Sequence, residues 1–368
     1  MSVEKPLFRP NFRIEPSTAF ALMRIEAARQ AVETLPITPR VVASLRETPQ
    51  LDATHYSTSI EGNRLTQGQV AEVLVAGEHF PGSERDEAEV KGYYAALDEL
   101  ESIIGRRTTI TQSVVKRLHA LVVGGGKTKV KPSAYRDGQN VIRDSSSNEI
   151  VYLPPEARDV PSLMEALLVW IEGQAGLPAP LVAAIAYYQF ATIHPYYDGN
   201  GRTARLLATL ILHLGGYGLK GLFALEEYYA RDLGSYYSAL TVGPSHNCYL
   251  GRPEADITES VVYFIEGMAI SFEKVKDQAQ REALAGRLDR SRPLRDLDVR
   301  QRKVMVLFER SRDITAKEIA DLFSFTPRAA NLLCHRWVRQ GFLIVSEAAR
   351  KTRRYRLADV YEEIVARD

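Results

Sequence analysis

The run from His194 to Arg205, His-Pro-Tyr-Tyr-Asp-Gly-Asn-Gly-Arg-Thr-Ala-Arg, lies between two apolar segments and limits what this chain can become. Upstream, Leu181 to Ile193 contains neither Gly nor Pro and is rich in alanine and large apolar residues, so it reads as a buried helix. Pro195 disfavours helical backbone at His194 and ends the helix there. Downstream, Leu206, Leu207, Leu210, Ile211 and Leu214 fall on one stripe of a second helix, and Gly215-Gly216 suits a left-handed cap at its end. The run is therefore a loop that opens directly into a helix N-terminus.

Such a loop, holding two glycines and an asparagine, can turn several backbone N–H groups toward one point, where the helix dipole adds positive potential. Arg202 and Arg205 stand one turn apart and can grip phosphate oxygens with their planar forks. Asp198 is a hard oxygen ligand placed where Mg²⁺ on a polyphosphate would sit. His194 is the one group in the run that can take a proton near neutral pH. Asp-Gly-Asn-Gly alone would read as a turn; the base, the carboxylate, the nest and two in-phase arginines together point to phosphate-transfer chemistry.

These residues resemble the signature of the Fic (filamentation-induced-by-cAMP) family, His-Pro-Phe-x-Asp-Gly-Asn-Gly-Arg-x-x-Arg, with Tyr196 in place of the usual Phe. The resemblance implies a mainly α-helical Fic fold and transfer of AMP from ATP to a Ser, Thr or Tyr hydroxyl of a protein. By position, it implies that His194 deprotonates the target hydroxyl and Asp198 holds Mg²⁺, with Mn²⁺ as the alternative. Gly199, Asn200, Gly201 and Arg202 would bind the α- and β-phosphates, and Arg205 the γ-phosphate.

A second motif lies upstream. A helix through Ser57 and Ile60 would end at Gly62-Asn63, which leaves Glu61 at a helix C-terminus, where the macrodipole favours cations. Taken alone, Glu61 is either a solvated surface residue or the partner of a distant cation. Ser57-Thr58-Ser59-Ile60-Glu61-Gly62 is similar to the Fic inhibitory motif, (Ser/Thr)-x-x-x-Glu-(Gly/Asn), in its N-terminal placement, and so implies that Glu61 pairs with Arg205 and holds the enzyme inactive.

Proline-rich residues 1 to about 20 read as an extended arm; Phe20 to Val32 and Pro39 to about Glu47 read as helices punctuated by Pro36, Pro39 and Pro49. Thr66 caps a helix running to Val75; Asp86 to Ile104 and Thr111 to Val123 are amphipathic helices, the second with His119 as a partly buried core histidine. Gln139 to Ile142 and Glu149 to Leu153 flank a Ser-Ser-Ser-Asn turn and read as a β-hairpin within about 135–155. This segment resembles the Fic flap, which takes a target segment by strand addition. Leu222 to Leu240 carries tyrosine pairs at helical spacing, and the resemblance places Tyr236 at the adenine pocket. Ile257 to Lys276 is a further helix.

The division expected is an N-terminal region at 1–105 containing the inhibitory helix (about 51–62), a catalytic core at 106–280, a linker at 281–297 and a separate domain at 298–368. From Arg292 onward 17 basic residues face 11 acidic ones, a net of +6 that leaves the rest of the chain at −5. In this tail Val299 to Phe308, Thr315 to Phe323 and Pro327 to Gln340 read as three helices, and Leu343 to Val345 with Arg353 to Leu357 as a two-strand wing. A winged helix-turn-helix of this kind binds DNA, dimerises or binds protein; Arg328, Asn331, His335, Arg339, Arg350, Lys351, Arg353 and Arg354 are the DNA-contact candidates.

A net charge of +1 argues against a chain that coats nucleic acid throughout, and 45% hydrophobic with 25% charged residues is ordinary for a globular protein. No stretch reaches the roughly 18 apolar residues of a membrane span, and Cys248 and Cys334 lack ligand-spaced histidines. A reduced, cytoplasmic protein is expected, with self-modification and a homodimer as further expectations and no membrane partner. Two other readings remain: a different phosphate transfer on the same fold, removal of AMP included, and a transcriptional regulator that senses nucleotide. Gly201 favours AMP transfer over kinase-like relatives, which carry Lys there, and a sensor needs no His194.

Overall fold

The computed structural model describes residues 7–35, 39–106, 108–143, 148–174, 176–242, 246–252, 254–282, 297, 299–308, 311–323, 325–347 and 353–365. In chain order the helices are α1 (Pro16–Thr34), α2 (Pro39–Ile60), α3 (Gln67–Ala71), α4 (Glu84–Arg106) and α5 (Gln112–Val122). The hairpin strands β1 (Ile142–Arg143) and β2 (Ile150–Tyr152) follow, then α6 (Val160–Glu172), α7 (Ala179–Ile193), α8 (Asn200–Leu214), α9 (Glu226–Arg231), α10 (Leu233–Leu240) and α11 (Thr258–Glu282). Chain contacts divide the protein into two units, residues 1–33 with 45–277 and residues 34–44 with 278–368.

The first unit is built on α7. All its residues except Ala179, Gln189 and Ala191 are buried, as expected of a helix apolar on every side, so it runs through the core. Helix α8 packs along it and also meets α4 and α5. On another side α11 buries Val261, Phe264, Ile265, Met268 and Phe272. Arg24 of α1 reaches α11 and forms ion pairs of 2.6 Å with Glu266 and Glu273. Gly216, at φ +85°, ends α8: its own N–H and that of Tyr217 bond back to His213 and Leu212, the left-handed cap that the glycine pair predicts.

Two local expectations are revised, and one core helix is new. Helix α2 is continuous through Pro49, where two helices were expected. A mid-helix proline costs roughly 3 kcal/mol, and burial of Ala53, Thr54, Ser57, Thr58 and Ile60 in the next turns offsets it. Leu222 to Leu240 breaks at Asp232, whose side chain accepts from the Ser235 N–H and starts α10. Helix α6, with Met164, Ala166, Leu167 and Leu168 buried, belongs to the core without having been anticipated.

The second unit holds α12 (Val299–Phe308), β3 (Ile314–Thr315), α13 (Ala316–Phe323), α14 (Pro327–Arg339), β4 (Leu343–Glu347), β5 (Arg354–Leu357) and α15 (Asp359–Val365). Its antiparallel sheet runs β3–β5–β4, one strand more than the wing expected. Trp337, Phe342, Leu343, Tyr355 and Ile319 form its core. Thr326 caps α14 with Pro327 in the first turn, as the sequence predicts. The expected linker lies almost wholly outside the described residues, as do Arg350 and Lys351. Among the described residues no helix is long and apolar enough to cross a membrane, and both cysteines are free and buried.

Candidate active site

Pro195 ends α7 and leaves His194 as its cap in left-handed backbone, φ +51°, with its N–H on the Phe190 carbonyl at 3.0 Å. The loop then turns through Gly199, φ +73°, directly into α8. Burial pushes the His194 imidazole down to about 4, so it is neutral at physiological pH. Asp198 is exposed; its Oδ1 accepts from the Gly199 N–H at 2.6 Å and from Arg202 at 3.1 Å. Arg202 is 2% exposed and its Nε has no partner among the described residues. Asn200 is spent on the loop itself: its amide accepts from the Tyr196 N–H and donates to the Tyr196 carbonyl, at 2.9 and 2.8 Å.

Arg205 is the most enclosed group of the site, its side chain 1% exposed. Its Nε–H donates to Ser57 Oγ at 2.8 Å, one terminal nitrogen to the Tyr236 hydroxyl at 2.9 Å, and the other to the Ser57 carbonyl and Glu61 Oε1, both at 2.8 Å. The Glu61 side chain, 32% exposed, closes the outer end of this pair. A Cβ on Gly201 would lie 2.2 Å from Glu61 Oε1, so a side chain at that position and the Glu61 carboxylate compete for one space. Glu61 is aimed by the end of α2: Gly62, φ +92°, and Asn63 return their N–H groups to Ser59 and Thr58 in a Schellman cap. Asn63 in turn donates to the Asp86 carbonyl at 2.9 Å, and the Tyr237 hydroxyl donates to the Ile60 carbonyl at 3.1 Å. Tyr236, expected at the adenine pocket, is 3% exposed and serves Arg205; its neighbour Tyr237 is the exposed member of the pair.

Three features had no functional reading in the sequence. Arg136, 3% exposed, donates to the carbonyls of His194 and Gly138, each at 3.0 Å, and to that of Pro155; its own N–H meets the Pro195 carbonyl. It thereby ties both ends of the flap to the signature loop. His119 lies under the loop, stacked on Tyr196 with ring centroids 3.5 Å apart, its Nε2 2.9 Å from the Asp198 carbonyl and its Nδ1 2.7 Å from Ser133 Oγ. Its burial bears out the core expectation, and its contacts add a role in shaping the loop. Glu226 and Tyr93, both buried, bond to each other at 2.9 Å behind Arg205. A lone Arg, His or Glu in an amphipathic segment carries no local signal of such contacts.

Strands β1 and β2 form the hairpin expected, although shorter, pairing Ile142 with Tyr152 and Arg143 with Ile150. The outer edge of β2 is occupied: Leu153 donates to the His246 carbonyl at 2.7 Å and accepts from the Cys248 N–H at 3.0 Å.

Residues 109–212 match the model of the Fic/DOC family. The chain carries a Fic domain. The Protein adenylyltransferase Fic of Drosophila virilis is 30% identical over 166 residues, 44% of this chain and 33% of its own length. That of Drosophila willistoni is 26% identical over 199 residues, 53% of this chain and 38% of its own. The chain thus spans little more than a third of these relatives. A Fic family protein of Desulfovibrio desulfuricans G20 has the same fold at 22% identity, with a TM-score of 0.58 over 96% of this chain and 99% of its own. Fic-1 of C. elegans matches with a TM-score of 0.57 at 22% identity, over 72% of this chain and 73% of that one. In the Fic domain the matched segment runs from before α5 to the last turns of α8, and so takes in His119, Arg136, the flap and the whole signature.

Proposed function

We propose that the Fic domain transfers AMP from ATP to a hydroxyl side chain of a target protein and that Glu61 holds it inactive. The observation that carries this reading is the 2.8 Å ion pair between the signature residue Arg205 and Glu61 at the end of α2. The activity in the names of the Drosophila relatives supports it.

In this reading the neutral His194 accepts the proton of the target hydroxyl, whose oxygen attacks the α-phosphorus as pyrophosphate leaves. The backbone of Gly199 to Arg202 and the Arg202 guanidinium hold the α- and β-phosphates, and Arg205 the γ-phosphate. The hard, exposed carboxylate of Asp198 suits Mg²⁺ or Mn²⁺ and would hold the ion together with nucleotide oxygens and water. Bound there, the ion would neutralise phosphate charge. With Glu61 on Arg205, the γ-phosphate meets a filled and neutralised site, and the α-phosphorus is denied the in-line geometry that transfer requires.

The target segment adds to β1, since 246–248 occupy the outer edge of β2. Self-modification uses the same chemistry. Two buried free thiols are in keeping with a cytoplasmic protein. The test is incubation of wild type, Glu61→Gly and Glu61→Gly/His194→Ala with labelled ATP, Mg²⁺ and lysate. Glu61→Gly should label protein far above wild type, and loss of His194 should remove that gain by ~10²–10⁴-fold. Equal labelling by wild type and Glu61→Gly across ATP and Mg²⁺ concentrations overturns the proposal.

For the second unit we propose a winged helix-turn-helix that binds duplex DNA. Arg328, His335, Arg336 and Arg339 are exposed on α14, and among the described residues none of the three arginines has an ion-pair partner. Arg336 joins the candidates read from the sequence, and two of those are engaged within the unit. Asn331 bonds to its own helix at the Pro327 carbonyl, and Arg354 lies 3.9 Å from Glu347.

A further inference from the structure

Arg205 presents a difficulty once Glu61 moves aside. Its guanidinium is 1% exposed, and the acceptors that remain, Ser57 Oγ, the Ser57 carbonyl and the Tyr236 hydroxyl, are all neutral. A buried cation stripped of its counter-charge is expensive, and a fork without a fixed anion on its inner side has little to hold its orientation. Behind it lies an acid that the transfer chemistry leaves unused. Glu226, at the start of α9, is 3% exposed and has no Lys or Arg in ion-pair contact among the described residues. The Tyr93 hydroxyl donates to Glu226 Oε1 at 2.9 Å, and the Ser57 hydroxyl is within bonding reach of Tyr93.

The donors run in one direction. Arg205 Nε–H donates to Ser57 Oγ at 2.8 Å and the Tyr93 hydroxyl donates to the Glu226 carboxylate at 2.9 Å, with the Ser57 hydroxyl beside Tyr93 between the two bonds. A Ser57 hydroxyl turned to Tyr93 joins these two bonds into one oriented series. Burial raises the Glu226 carboxyl above the usual carboxylate range; its own backbone N–H, Tyr93 and the Arg205 charge oppose that rise. Resting on the adenylyltransferase reading, we infer that Glu226 is a positioning residue: through Tyr93 and Ser57 it serves as the permanent inner counter-charge of Arg205, so that Arg205 keeps its orientation toward the γ-phosphate when Glu61 departs. Glu61 is then the removable partner of Arg205 and Glu226 the fixed one.

The test measures binding of ATP and of ADP, which lacks the γ-phosphate, to the full chain with Mg²⁺. In the Glu61→Gly background, Glu226→Gln and separately Tyr93→Phe should each weaken ATP binding roughly tenfold, in the range of a hydrogen bond to a charged group, and leave ADP binding unchanged. Combined with Arg205→Ala, neither should weaken ATP further, because the series then has nothing to orient. Unchanged ADP binding also reports that each variant is folded. Equal losses for ATP and ADP, no loss for either, or additivity with Arg205→Ala would each overturn the inference. The reading beneath it fails differently: Glu61→Gly would then label no protein.

Discussion

At the scale of single residues, the site is governed by what burial does to charge. His194 is held neutral because the fold withholds the water that would solvate an imidazolium, which lowers it from 6.5 to about 4. A base protonated only in acid should give Glu61→Gly a kcat/KM that is level from about pH 8 to about pH 6 and falls only toward pH 4. A pH–rate titration checks this; a midpoint near the ordinary value of 6.5 contradicts it. The same depression acts on stability. Below 6.5 the unfolded chain takes up the proton that native His194 refuses, so the stabilising contribution is complete above that pH and is lost between 6.5 and about 4. Tyr196 is a different case: its ring packs on His119, but its buried hydroxyl has no partner among the described residues, and the Phe of the family signature would pack equally well.

At the scale of elements, two joints decide how the parts of the first unit cooperate. One is the end of α2. Among the described residues nothing lies within 4 Å of a Cβ at Gly62, so Gly62→Ala acts through its positive φ. It should cost about 1 kcal/mol and loosen the aim of Glu61, giving a lower melting temperature together with labelling above wild type but below Glu61→Gly. The other joint is Arg136. Its buried guanidinium meets three backbone carbonyls. Arg136→Met should therefore destabilise by roughly 3 kcal/mol or more, and in the Glu61→Gly background it should reduce transfer to protein targets more than it weakens nucleotide binding. Denaturation curves and separate measurements of labelling and of ATP affinity check the two halves of that statement.

At the scale of the whole molecule, charge is partitioned along the chain, with the net positive share beyond Arg292. If the α14 face meets phosphates, binding of the full chain to duplex DNA should weaken steeply with salt, and Arg336→Ala and Arg339→Ala should each reduce the slope of log K against log salt by about 1. Electrophoretic mobility shifts at several salt concentrations measure this. Binding that ignores salt, or no binding at low salt, makes the second unit a protein-interaction module.

The sequence by itself determined what depends on neighbours a few residues apart. Leu206 to Leu214 had to be a helix face, Pro195 had to end α7, Gly216 and Gly62 had to take left-handed caps, and Thr326-Pro327 had to open α14. Each follows from periodicity, from a missing N–H or from a φ that only glycine adopts at low cost. The motif residues were legible for the same reason, because they are contiguous. The tertiary structure alone decided which of them share a site and which are already occupied. Ser57 and Glu61 meet Arg205 across 148 and 144 positions, Arg136 joins the flap to the His194 carbonyl, and Asn200 spends its amide on Tyr196. Glu226 and Tyr93, at unremarkable places in the sequence, close the inner side of the same site. Such partnerships arise when helices pack and a buried polar group must find whichever donor or acceptor the fold brings beside it, and that requirement leaves no periodic trace along the chain.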